Sequence, residues 1–89
     1  MQQEEFIIQN RVGLHARPAA ILVQTANKFK SNISVEKDGK KVSAKSILGV
    51  LSLGVEKGTT VSVTIEGEDE EKAMEAVGEL VVNRFGDEE

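Results

Sequence analysis

The dipeptide Asp38-Gly39 lies between two short alternating runs, Ile33, Val35 and Lys37 before it and Lys40 and Val42 after it. Asp-Gly suits the two positive-φ positions of a two-residue hairpin, and a period of two sends successive side chains to opposite faces of a sheet. This is the strongest short hairpin signal in the chain, and it commits the fold to antiparallel pairing.

The remaining elements arrange themselves around that hairpin. Phe6-Ile7-Ile8 is a short apolar run suited to a strand and ended by Gln9-Asn10-Arg11. Residues 16 to 28 read as a helix, with Ala16, Ala19, Ala20, Leu22, Val23 and Ala26 at helical spacing. Pro18 is tolerated only in a first turn, where its missing N–H costs nothing, so it pins the helix start close to His15. Ser46 precedes a short helix, Ile47 to Leu51, with Gly54 as its stop. Val61, Val63 and Ile65 alternate as a half-buried strand closed by Gly67. Glu68-Asp69-Glu70-Glu71 complements the positive end of a last helix, whose apolar stripe is Ala73, Met74, Val77, Leu80, Val81 and Phe85.

The predicted order is β-α-β-β-α-β-α. Helices gathered on one face of a mostly antiparallel sheet make an α+β two-layer sandwich, whose other face is left to solvent. The chain has 89 residues, enough for one domain over residues 1–89 and too few for two. The acidic ends read as solvated tails.

Composition excludes several functions. With no cysteine, disulfides, thiolate chemistry and Cys-based zinc sites are out, and a single histidine gives no basis for a His-based metal site. A net charge of -4 argues against general nucleic-acid binding. No stretch approaches the length that spans a bilayer, and Met-Gln-Gln-Glu-Glu lacks the basic region and apolar run of a signal peptide. The expected location is the cytoplasm, and no cofactor is implied.

The one histidine and the one proline stand together in "NRVGLHARPAAILVQ". In a helix starting at Ala16, the first-turn amides have no intrahelical partners and the macrodipole is positive, which makes the end a phosphate site. His15 holds its ring beside those donors, and Arg17 adds a planar cationic fork suited to phosphoryl oxygens. Gly13 lets the preceding loop turn and lets another backbone approach. Such a site can accept and hold a phosphoryl group. It has no second base, metal set or pocket-sized insertion, so the rest of the geometry must come from a partner's active site. The blander reading is that His15 is just a surface or capping residue and Arg17 an ordinary solvated charge.

"GLHARPAA" together with "KSILGVLSLGV" closely resembles the histidine-containing phosphocarrier family HPr of the phosphoenolpyruvate-dependent sugar phosphotransferase system. The resemblance covers nearly the whole chain. It implies an open-faced sandwich with four antiparallel strands in the order 1-4-2-3. It also implies that His15 accepts phosphate on Nδ1 from phosphorylated enzyme I and passes it to enzyme IIA domains, with Arg17 and the amides of Ala16 and Arg17 holding the phosphate. Position 12 departs from the pattern: it is Val, where members often carry Ser, Thr or Asn.

Ser46 reads first as an N-cap. The resemblance, which is to the Gram-positive branch, implies a second role as target of an ATP-dependent HPr kinase/phosphorylase. A phosphate there would place about two negative charges beside Ile47, Leu48 and Leu51. These three are either the core face of a short helix or, as the resemblance implies, a docking patch near the histidine, bordered by Ala20 and Gln24. Phosphoserine would then repel an acidic partner such as enzyme I and favour a basic one such as catabolite control protein A. The regulatory paralogue of catabolite repression is the runner-up, since "VEKDGKKVSAKSILG" looks similar to that branch. That paralogue's histidine is replaced, whereas His15 is present here. It can also exchange its first strand, so a strand-swapped dimer stands beside the expected monomer.

Overall fold

The structure, a computed structural model, describes residues 1–86; the acidic C-terminal end, expected to be a solvated tail, lies outside the described residues. The elements run β1 (Gln2–Ile7), α1 (Ala16–Ala26), β2 (Asn32–Lys37), β3 (Lys40–Ser43), α2 (Ile47–Ser52), β4 (Thr60–Glu66) and α3 (Glu70–Val82). A single 3-10 turn, Arg84–Gly86, follows. The expected order β-α-β-β-α-β-α is the observed one.

The Asp38-Gly39 turn behaves as its chemistry requires. Both residues take positive φ, 50° and 83°, and the hairpin they close pairs Lys37 with Lys40 and Val35 with Val42. The sheet order is β1-β4-β2-β3, with every pairing antiparallel. β4 is central, and its Val63 and Ile65 face Val35 and Ile33 of β2 across the ladder. Those side chains are buried together with Leu14, Ala19, Leu22 and Ala26 from the α1 side and Ala73, Met74 and Val77 from α3. Each fully buried large aliphatic side chain contributes about 1.5–3 kcal/mol relative to exposure.

Four details of the elements differ from expectation. β1 begins at Gln2, so Gln2 to Glu5 pair with Ile65 to Ser62 and are not a tail. A ladder forms through backbone groups, and β1 is an edge strand whose charged residues can stay in water. Ile8 lies past the strand end but is buried, with its N–H on the Thr59 carbonyl and its carbonyl accepting from Gly58. α1 stops at Ala26, where the Lys28 and Phe29 amides bond only three residues back, to Thr25 and Ala26, and Asn27 Nδ2 donates to the Val23 carbonyl at 2.9 Å. Phe85 is in the core as expected, but beyond α3, with its own φ at 53°.

Charged side chains near the helix ends have particular destinations. Lys37 Nζ donates to the carbonyls of Leu53 (3.2 Å) and Gly54 (2.9 Å), and Lys40 Nζ to Ser52 (3.3 Å). The hairpin thus holds the negative end of α2. Glu70 and Glu71 occupy the first turn of α3, as the dipole favours. Asp69 does not cap α3; its carboxylate accepts from the amides of Lys30 (2.9 Å) and Ser31 (3.0 Å) and from Ser31 Oγ.

Those bonds, with the Ser31 hydroxyl foremost, lower the Asp69 pKa from 3.8 to about 2. A depressed folded-state pKa stabilises above the unfolded value and ceases to as pH falls through the folded one. Asp69→Asn is therefore expected to melt several degrees below the parent at pH 7. Thermal scans should show that gap narrowing below about pH 4 and closing near pH 2.

Candidate functional site

The loop before α1 is held on both sides by backbone bonds. The Asn10 carbonyl accepts from the Gly13 amide at 3.1 Å, and Asn10 Nδ2 donates to the Gly13 carbonyl. The Leu14 amide donates to the Val55 carbonyl at 2.9 Å, and the Leu14 side chain is buried. Gly13 has φ 64°, and a Cβ there would collide with the Val55 carbonyl oxygen and lie 2.7 Å from Glu56 Cα. Glycine is needed for both the turn and the close approach. This clamp delivers His15 to the end of α1.

His15 occupies the N-cap position with extended backbone (φ -120°, ψ 160°), but its side chain makes no capping bond. The capping reading therefore fails. The half-buried ring precedes exposed Ala16 and Arg17, while Pro18 and Ala19 are buried. Pro18 lies in the first turn, where it was expected, and the amides of Ala16 and Arg17 have no intrahelical acceptor there. First-turn backbone donors and exposed Arg17 thus lie within two residues of one half-buried imidazole, a set of groups able to bind an anion.

Ala16 has φ 49°, a left-handed value for a residue with a Cβ. Such a conformation costs about 1–2 kcal/mol outside glycine. Ala16→Gly is expected to stabilise the chain by about 1 kcal/mol, checked by urea denaturation at unchanged slope. Neither this strain nor the Asn10 clamp was anticipated. Asn10-x-x-Gly13 carried a turn signal, but the Val55 side of the clamp is 41 residues further along the chain than Leu14 and carried none.

Ser46 is the N-cap of α2: its Oγ accepts from the Gly49 amide at 3.0 Å, and the residue is exposed. α2 buries only Val50. Ile47, Leu48 and Leu51 are 40%, 77% and 37% exposed, so they are not core. Half-buried Ala20 and exposed Gln24 lie one turn apart on α1, which packs against α2. Exposed Val12 adds a further apolar side chain to the loop before His15.

The two helices run in opposite directions. Asn27 Nδ2 reaches the Lys45 carbonyl (3.4 Å) and Lys45 Nζ the Phe29 carbonyl (2.7 Å), so α2 starts near the end of α1. The Leu14–Val55 bond places the residues after α2 near the start of α1. α1 has 11 residues, so Ser46 and His15 are separated by about 16 Å of helix. The exposed apolar residues of α2 follow directly on Ser46, on the helix that packs against α1.

Charge is segregated in the same way. Residues 6–35 and 39–55 contain no Asp or Glu but hold Arg11, Arg17, Lys28, Lys30, Lys40, Lys41 and Lys45. The elements around His15 are thus basic in a chain of net charge -4. That bias was visible in the sequence and was hidden by the total. Among the described residues no cluster of His, Cys, Asp or Glu fit to hold a metal ion is present, and no helix is long and apolar enough to cross a membrane.

Known proteins match this arrangement along its length. The family described as "PTS HPr component phosphorylation site" matches residues 2–83. The phosphocarrier protein HPr of Xylella fastidiosa (strain 9a5c) is 49% identical over 87 residues, 98% of each chain. The HPr-like protein Crh of Halalkalibacterium halodurans is 51% identical over 77 residues, 86% of this chain and 92% of its own. The crystal structure of HPr-C-His from Thermoanaerobacter tengcongensis superposes with a TM-score of 0.97 at 54% identity, covering 100% of both chains. The sheet order, the helix layout and a match running from β1 to the end of α3 lead to one assignment: the chain belongs to the HPr phosphocarrier family, with Crh-like proteins among its relatives.

Proposed function

We propose that the chain is a phosphoryl carrier that takes its phosphate on His15 from phosphorylated enzyme I and hands it to enzyme IIA domains of sugar transporters. The observation that carries this is His15 at the N-terminus of α1 with no capping bond of its own, beside the first-turn amides and exposed Arg17. The Nδ1 lone pair attacks phosphorus; the N–P bond forms as the bond to the donor breaks, and the donor keeps that electron pair. The Ala16 and Arg17 amides and the Arg17 guanidinium stabilise the equatorial oxygens, while the partner's surface excludes water. Transfer to enzyme IIA reverses the step. Val12 offers no hydrogen bond, so more of the stabilisation falls on the amides.

The carrier is not itself an enzyme. It binds no resident cofactor and works in the cytoplasm. The expected state is a monomer, with β1 paired to β4 of its own chain along Gln2–Ile7; a strand-swapped dimer would keep the same pairing between two chains. Incubation with phosphoenolpyruvate and enzyme I should yield one acid-labile phosphate, located on Nδ1 of His15 by phosphorus NMR. A properly folded chain that stays unphosphorylated overturns the reading.

Ser46 is the regulatory site, phosphorylated by an ATP-dependent HPr kinase/phosphorylase. At about one helix length from His15 the added charge acts through the patch, repelling enzyme I and favouring catabolite control protein A. Ser46→Asp is expected to slow phosphorylation by enzyme I at least about tenfold, less so at high salt, in initial-rate measurements. The Crh relative favours a second reading, a corepressor acting through phospho-Ser46; retention of His15 favours the carrier.

A further inference from the structure

The flank of α3 that faces away from α1 forms a groove with β1, and nothing in the carrier function uses it. Its floor is Phe6, Met74 and Gly78, and Val82 stands at one end, 80% exposed. Glu4, Glu71, Glu75 and Glu79 line it, and none of the four makes an ion pair among the described residues. On α3 the positions 71, 75, 78 and 82 recur at helical spacing, so the stripe is continuous along one face.

Gly78 is the unexpected member. Glycine inside a helix is less favourable than alanine. A Cβ at position 78 would meet only Phe6 ring atoms at 3.8 and 4.0 Å, which is ordinary contact. No close approach or positive φ requires a glycine here. What it does is leave the floor of the groove open over the Phe6 ring.

An exposed valine, an aromatic floor and four unpaired carboxylates are complementary to one kind of surface. We propose that this groove docks a cationic amphipathic segment of a protein partner, with an aliphatic side chain seated over Gly78 and lysines or arginines against Glu71, Glu75, Glu79 and Glu4. α1 lies between α3 and α2 in the contact pattern, so an occupied groove leaves His15, Ser46 and the α2 patch open. The carrier then has two faces of opposite sign. One, basic, exchanges phosphate; the other, acidic, tethers the carrier while it does so.

The test is a titration of the isotopically labelled full chain with a synthetic helical peptide of leucines and lysines, followed by amide NMR shifts. Saturable shifts at Phe6, Met74, Gly78 and Val82, with His15 and Leu48 unmoved, are expected. Val82→Ser and the pair Glu75→Gln with Glu79→Gln, all exposed changes, should each weaken binding at least tenfold. Gly78→Ala should weaken binding while raising Tm, a combination that loss of folding does not produce. A peptide with the same lysines and serine for leucine should not bind. Shifts centred on the α2 patch, an absence of saturation, equal binding by the serine peptide or by the variants, or self-association that buries the groove would each overturn the proposal.

Discussion

Replacing His15 with alanine is expected to abolish phosphoryl transfer while leaving the fold intact. The ring supplies the only nitrogen nucleophile at the start of α1, and neither the amides nor the Arg17 guanidinium can form a bond to phosphorus. The rate from enzyme I should fall to background, by more than about a thousandfold. Stability should move by less than about 0.5 kcal/mol, because His15 is only half-buried and its side chain caps nothing. Phosphate incorporation and a thermal scan on the same sample separate the two effects. A variant that still takes up acid-labile phosphate removes His15 from the mechanism.

Gly13→Ala is expected to cause the largest loss of stability of any single methyl addition near the site. Two costs combine. The left-handed φ of 64° disfavours a side chain, and the new Cβ would meet rigid backbone at Val55 and Glu56 that no rotamer change can move aside. The loop must then lift off, breaking the Leu14–Val55 bond and loosening buried Leu14. We expect a loss of about 3 kcal/mol, or roughly 12–24 °C in Tm for a domain this size. Transfer measured well below the new Tm should still fall about a hundredfold, since a shift of about 1 Å in a reacting group carries that cost. A Tm within two degrees of the parent, together with normal transfer, would show that the clamp does not position His15.

The two variants divide the site into chemistry and placement. In the proposed function His15 acts on phosphorus, and Gly13, Asn10 and Val55 hold the loop that carries it. The fall in stability on Gly13→Ala and its absence on His15→Ala is the signature of that division. The strain at Ala16 sits between them, in the one residue that joins the clamped loop to the regular part of α1.

Several features were legible in the residues because they are local. Asp38-Gly39 determined the hairpin and its register through two positive φ angles. Pro18 located the start of α1, since its ring is tolerated only in a first turn. Ser46 could be read as a cap from its place before an apolar run, and its Oγ does cap Gly49. "GLHARPAA" and "KSILGVLSLGV" pointed to the family, whose model matches residues 2–83.

Other features depended on contacts far apart in the chain, and no local pattern carried them. Gln2 to Glu5 look like a polar tail, yet they form a strand because β4 offers an unpaired edge, and backbone pairing is indifferent to side-chain polarity. Ile47, Leu48 and Leu51 have the composition of a core face. Only the packing of α2 beside α1 and β3, which leaves room to bury Val50 alone, turned them toward solvent. Asp69 was expected only to complement the positive end of α3, but its carboxylate serves Lys30 and Ser31, because the sheet brings that loop within reach. Local sterics and turn chemistry thus determined the elements, and two motifs pointed to the family. The tertiary structure decided which faces they expose, how His15 is held and how far Ser46 lies from it, because each of those follows from long-range contacts that form only when the sheet closes.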